Sequence, residues 1–266
     1  MMIRKTEWLL CTTWPVVLLI GLCTAPSIVP NHVSKEALYP PTDIWILNND
    51  SLSTTGQADG ITAYYQGVQL EPLSGPASWG LTSMHFSGIS SNSWLEVDQS
   101  GELDWSGAVT WMIYIKPNSL SHYGVILDFY GTNGTDGVEL LQQGNLLSLK
   151  IFDADGKLRG TYQAVNFALQ KAKWNFVGFS YNKFENKLWI QNGISGVKSL
   201  FQIQTPDKGT VYINTVGNIR LGSSFEGYTG FNGSLSCMMT LKVSVMGKTL
   251  TDLAQFCDPN MWTEKS

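Results

Sequence analysis

Glu102 and Asp104 stand two residues apart in GELDWSG. Such a pair is the raw material of glycoside hydrolysis, because retaining enzymes need two carboxyl groups about 5 Å apart. Here the pair lies between glycines, in what reads as a loop ahead of a strand. Histidine chemistry is scarce: His85 and His122 lie in the body of the chain, and no G-x-S-x-G elbow accompanies them. Each histidine reads as a packed or surface side chain. DADG, Asp153 to Gly156, opens like an EF-hand loop but lacks the later ligands, so a hairpin turn is its expected role. Cys237 and Cys257 are 20 positions apart without C-x-x-C pairs, which argues against zinc and leaves a staple or two idle thiols. Trp79 and Trp105 lie in Gly/Ser-rich loops, where an exposed ring could stack on a pyranose. Trp45, Trp94, Trp111, Trp174 and Trp189 are expected mainly to pack the interior.

The elements that must carry these residues are strands. The 266 residues bear a net charge of -4, with 14% charged residues, 12% aromatic residues and 26 glycines. That balance favours a sheet-rich globular domain and offers no basic face for nucleic acid. Arg4 and Lys5 precede an uncharged run from Trp8 to Ala25, the pattern of a secretory signal. Residues 1–27 are therefore expected to be removed, with Ala25 two residues before the cut; an uncleaved anchor through residues 8–25 is the alternative. Residues 28–41 read as a linker, 42–257 as the domain and 258–266 as a tail. Removal of the signal takes Cys11 and Cys23 with it and leaves Cys237 and Cys257 as an even pair in an oxidising compartment. Three N-x-S/T sequons, at Asn49, Asn133 and Asn232, fit an exported glycoprotein.

AVTWMIYIKP, YGVILDFYG and NLLSLKIFDADG are rich in β-branched and aromatic residues and bounded by Gly, Asn, Asp or Pro. KLRGTYQAV answers across DADG as one hairpin, and WNFVGFSYN with KLWIQNG forms another. Several strands are apolar on both faces: Trp174, Phe176 and Gly178 point one way, Val177, Phe179 and Tyr181 the other. Two packed antiparallel sheets, with one outer face partly covered or functional, explain this. An all-β sandwich of roughly a dozen strands is expected. A helix of about two turns follows it, with Thr249 or Thr251 as cap and Asp252 at its start.

Together, SMHFSGISSNSWLEVD, AVTWMIYIKP, KWNFVGFSYNKFENKLWIQNG and the closing IRLGSSFEGYTGFNGSLSCMMTLKVSVMGKTLTDLAQFC resemble the laminin G-like modules of the concanavalin A-like lectin and glucanase superfamily. The resemblance runs from about Asp43 to Cys257 and implies a jelly-roll sandwich. It implies a Cys237–Cys257 disulfide joining the last strand to the short helix. It bears on calcium too: Asp136 matches the family's first ligand, but Asn214 stands where a second acidic ligand is expected, so a site here would bind calcium weakly if at all. A solvated turn residue is the other reading of Asp136. The superfamily's glucanases use Glu-x-Asp-x-(x)-Glu, and Ser106 and Gly107 replace the third carboxylate. The expectation is therefore a secreted, non-catalytic module with no certain cofactor. It would recognise glycans or glycosylated surface proteins. An adhesion or matrix component that binds no free sugar is a second reading, and a glycosidase-like enzyme a third.

Overall fold

The computed structural model describes residues 43–46, 53–54, 62–76, 80–88, 92–98, 107–131, 136–165, 168–185, 187–192, 198–202, 213, 215–227, 230–245 and 253–257. The signal or anchor, the linker, the tail, Asn49 and Asn133 lie outside them. So do Thr249, Thr251 and Asp252.

The described residues form two antiparallel sheets, as the two-faced apolar strands demanded. Sheet A contains β1 (Asp43–Ile46), β2 (Ser53–Thr54), β4 (Gln69–Glu71), β5 (Ser83–Ser87), β7 (Ala108–Pro117), β12 (Asn175–Asn182), β13 (Lys187–Asn192), β14 (Lys198–Gln202) and β16 (Asn232–Leu241). Its order is β14-β13-β12-β7-β16-β1-β2, with β5 also on β16 and β4 on β5. Sheet B contains β3 (Thr62–Gln66), β6 (Trp94–Asp98), β8 (Tyr123–Tyr130), β9 (Asp136–Gln143), β10 (Leu146–Phe152), β11 (Leu158–Ala164) and β15 (Ile219–Leu221), in the order β11-β10-β9-β8-β15-β6-β3. The sixteen strands among the described residues exceed the expected dozen because short edge segments such as β2 and β4 carry no pattern of their own.

The main core lies between the sheets. Trp111, Ile113 and Ile115 of β7, with Val177, Phe179 and Tyr181 of β12, face Leu127 and Phe129 of β8 and Leu147, Leu149 and Ile151 of β10. Period-2 alternation sends Met112, Tyr114 and Phe176 to the opposite face of sheet A. There a second cluster forms with Met239, Leu241, Val245, Leu253, Ala254, Phe256 and Cys257. The segment after β16 thus folds back as a cover. Two hydroxyls tie it down: Thr110 donates to the Val243 carbonyl at 2.9 Å, and the Val245 N–H donates to Thr110 Oγ1 at 3.0 Å and Ser180 Oγ at 3.1 Å.

Of the expected short C-terminal helix, the described residues hold helical Leu253 and a 3-10 turn, Ala254–Cys257. So short an element cannot persist alone, and it stands on the buried Phe256 and on the Cys237–Cys257 disulfide, with Cα atoms 5.8 Å apart. A bulge makes the bond reachable. Ser236 pairs with Tyr114 but Met238 with Ile113, so Cys237 is the extra residue of β16, at φ +42°. Strict alternation from the inward Leu235 would have turned Cys237 into the main core. The bulge instead places it in the outer cluster and returns Met238 to the inner face.

DADG is a hairpin turn, as expected. Asp153 Oδ1 accepts the backbone N–H groups of Asp155 and Lys157 at 3.0 and 2.9 Å, and Oδ2 accepts Arg159 Nε at 2.6 Å. Burial raises this carboxyl's pKa, but the N–H groups of Lys157 and Asp155 and the Arg159 charge outweigh it and hold it below its ordinary 3.8.

Two outcomes follow for stability. Cys257→Ser should lose about 3 kcal/mol, the loop-closure value for a separation of 20 residues, read by thermal unfolding with a thiol count. Because Asp153 is depressed in the folded state, its contribution is present above 3.8 and disappears as pH falls through its lower folded value. Asp153→Asn should therefore be less stable than the parent at pH 6, with the gap closing in acid denaturation curves below pH 3.8.

Candidate functional site

With its outer face covered, sheet A has little to offer a ligand over β7 and β12. Sheet B differs. Its register aligns outward residues in one transverse row: Tyr64 of β3, Glu96 of β6, Arg220 of β15, Asp128 of β8, Glu139 of β9, Lys150 of β10 and Thr161 of β11. Charges of opposite sign directly across a strand pair stabilise one another.

The row centres on Arg220. Its Nη2 donates to Glu96 Oε2 at 2.5 Å, and Asn218 Nδ2 donates to the other Glu96 oxygen at 2.9 Å. The guanidinium carbon lies 4.7 Å from the Trp94 ring centroid and 4.2 Å from that of Phe225. Arginine suits this position, because its flat, weakly hydrated group can stack and pair at once. Phe225 is itself stacked on Tyr130, with centroids 3.8 Å apart, and its N–H donates to the buried Asp128 at 2.8 Å. Gly222 starts this loop at φ +81°, where a Cβ would lie 2.0 Å from the Phe86 ring. At the far end of the row Lys150 pairs with Glu139 at 2.5 Å. Burial lowers the Lys150 pKa, but Glu139 and Tyr123 outweigh it and raise it. Tyr123 is exposed, and nearby Gln163 donates to Gln143 at 2.9 Å. The arrangement places half-buried rings, amides and carboxylates together on the outer face of sheet B.

Trp94 was expected in the core, yet it is half-buried on the outer face, beside Glu96 and Asp98. The signal lies in WLEVD itself: Leu95 and Val97 take the inward phase, which leaves Trp94 in the outward one. Trp111 and Trp189 are buried as expected. Trp174 is half-buried, 5.1 Å beneath the Lys116 ammonium.

Other candidates fall elsewhere. Trp79, Trp105, Glu102, Asp104, Ser106 and Asn214 lie outside the described residues. Gly107 is a bend leading into β7. Leu81, two residues beyond Trp79, packs in the outer cluster of sheet A, on the opposite side of the sandwich from Arg220. Asp136 is the first residue of β9 and pairs with Tyr130. The other flank of Tyr130 is bonded by Gly217 and Asn218. The chain leading away from Asn214 therefore reaches the same end of sheet B as Asp136. Among the described residues no three His, Cys, Asp or Glu side chains converge on a metal position. His122 donates from Nε2 to the Gly230 carbonyl at 2.9 Å, and His85 Nδ1 lies 3.4 Å from Ser234 Oγ, so both imidazoles make structural bonds. Asn232 sits within β16, and its side-chain oxygen accepts from Asn118 at 3.2 Å.

The sandwich is similar to solved receptor-binding domains. The botulinum neurotoxin serotype G binding domain superposes with a TM-score of 0.61 at 12% identity, covering 82% of this chain and 51% of that one. The binding domain of botulinum neurotoxin DC in complex with SialylT gives 0.61 at 14% identity, covering 82% and 52%. The serotype D binding domain gives 0.60 at 11%, covering 81% and 51%. The chain spans about half the length of these domains, and at such identities the likeness is one of fold. No family model and no curated protein matches the sequence.

Proposed function

We propose that the protein is a secreted, non-catalytic recognition module that binds glycans or the glycosylated surface proteins that carry them. The supporting observation is the Trp94–Arg220–Phe225 stack. It holds a half-buried indole on the outer face of sheet B beside a row of hydrogen-bonding side chains. A pyranose needs this combination of an aromatic face for its C–H groups and fixed polar groups for its hydroxyls. The receptor-binding domains of botulinum neurotoxins type G and mosaic C/D, which share this fold, agree with it. Within this proposal the chain is a laminin G-like member of the concanavalin A-like superfamily, exported through its N-terminal signal and carrying glycans of its own. The calcium ligands of this proposal are Asp136, the first residue of β9, and Asn214. An adhesion partner with no affinity for free sugar is the competing class, because a protein epitope could use the same rings.

A glycan array probed with the mature chain, with and without EDTA, separates the two. Glycan binding is expected, with Trp94→Ala weakening it about tenfold, the equivalent of roughly 1.4 kcal/mol. Loss on Trp79→Ala or Trp105→Ala, with Trp94→Ala unaffected, would move the site to the loops. A folded protein that binds no glycan would leave the adhesion reading.

A further inference from the structure

The ligand class at this face follows from which of its charges remain available. A guanidinium has five N–H donors, and it binds carboxylates and sulfates by presenting two of them side by side. Arg220 is poorly placed to do so, because its side chain is only 17% exposed. Its Nη2 is committed to Glu96, its Nη1 points to the Ser224 carbonyl at 3.4 Å, and its Nε is buried. Trp94 and Phe225 stack against the group. The second cation of the row, Lys150, is held by Glu139 and by Tyr123. Arg159, on the edge strand, is taken by Asp153.

The carboxylates are in excess. Glu96, Asp98, Asp128 and Glu139 take outward positions on β6, β8 and β9, against Arg220 and Lys150. An acidic sugar would meet like charge and find no free fork to offset it. A neutral sugar meets the half-buried Asp98 carboxylate, the Gln143 and Gln163 amides, and the Trp94 ring. Resting on the glycan-binding reading, we infer that the outer face of sheet B selects neutral saccharides and discriminates against sialylated or sulfated ones. Glu96 and Asp98 are the residues that set this preference. Glu96 acts twice, by its own charge and by occupying Arg220.

The test is calorimetric titration of the full mature chain with N-acetyllactosamine oligosaccharides and with the same oligosaccharides sialylated or sulfated, at low and moderate salt. The neutral form should bind about tenfold more tightly at low salt, with the difference shrinking as salt screens the face. Asp98→Asn and Glu96→Gln should narrow the gap by tightening the acidic forms. Asp98→Asn leaves the Arg220 contacts intact, so it remains informative if Glu96→Gln fails to fold by circular dichroism. Acidic forms bound as tightly as the neutral one, or a gap unmoved by Asp98→Asn, would overturn the preference while the glycan reading stands. Binding to none of the probes would overturn the glycan reading itself.

Discussion

Sheet A is apolar on both faces, and the rest of the molecule answers that constraint. β7 and β12 turn Trp111, Val177 and Phe179 inward and Met112, Tyr114 and Phe176 outward, so neither face can be left to water. Sheet B covers one side. The chain beyond β16 covers the other with Leu253, Ala254 and Phe256, held by Thr110, Ser180 and a disulfide. That a 3-10 turn does this work explains why its attachment is covalent. Burying Phe256 contributes roughly 1.5–3 kcal/mol, too little to fix a separate segment against its chain entropy.

The same constraint divides the sandwich by role. Over its central strands sheet A is closed on both sides, while sheet B keeps an outward row in which Glu96 pairs with Arg220 and Glu139 with Lys150 on either side of the buried Asp128. Pairing within the row lets charges sit on a largely desiccated sheet without a free ion. It also uses up the cations, which turns a device for tolerating burial into a filter for what can approach. The Arg220 guanidinium is therefore better described as part of the floor of the site than as a hand reaching from it.

The two-sheet fold, both hairpins, the cysteine pair and the covered face were legible because each is written locally, as alternation, turn chemistry or residue count. Short edge strands escaped for the opposite reason: β2 and β4 are two and three residues long and are held only by their neighbours β1 and β5. The short C-terminal helix was legible locally too, from Leu253 and Phe256 spaced three apart, and both are buried. Trp94 shows a different failure. WLEVD carried the phase that put the indole outside, but tryptophan's usual place in sandwich interiors outweighed it. Arg220 gave no local sign at all. Its partners Glu96, Phe225 and Trp94 meet it only through the pairing of β15 with β6 and the return of the Gly222 loop. Its value depended on register between segments more than 120 positions apart, as the Glu96 bond records.

The position of β16 has a kinetic meaning. It pairs with β7 along one edge, and along the other with β5 in its first half and β1 in its second. It is the last strand among the described residues, yet it lies at the middle of sheet A. During synthesis, β1, β5 and β7 must wait with open edges until the final strand emerges to join them. Such a chain completes its sheet in a single late step dominated by long-range contacts. Folding of this kind is slow, and the nascent chain is exposed to mispairing until that strand inserts.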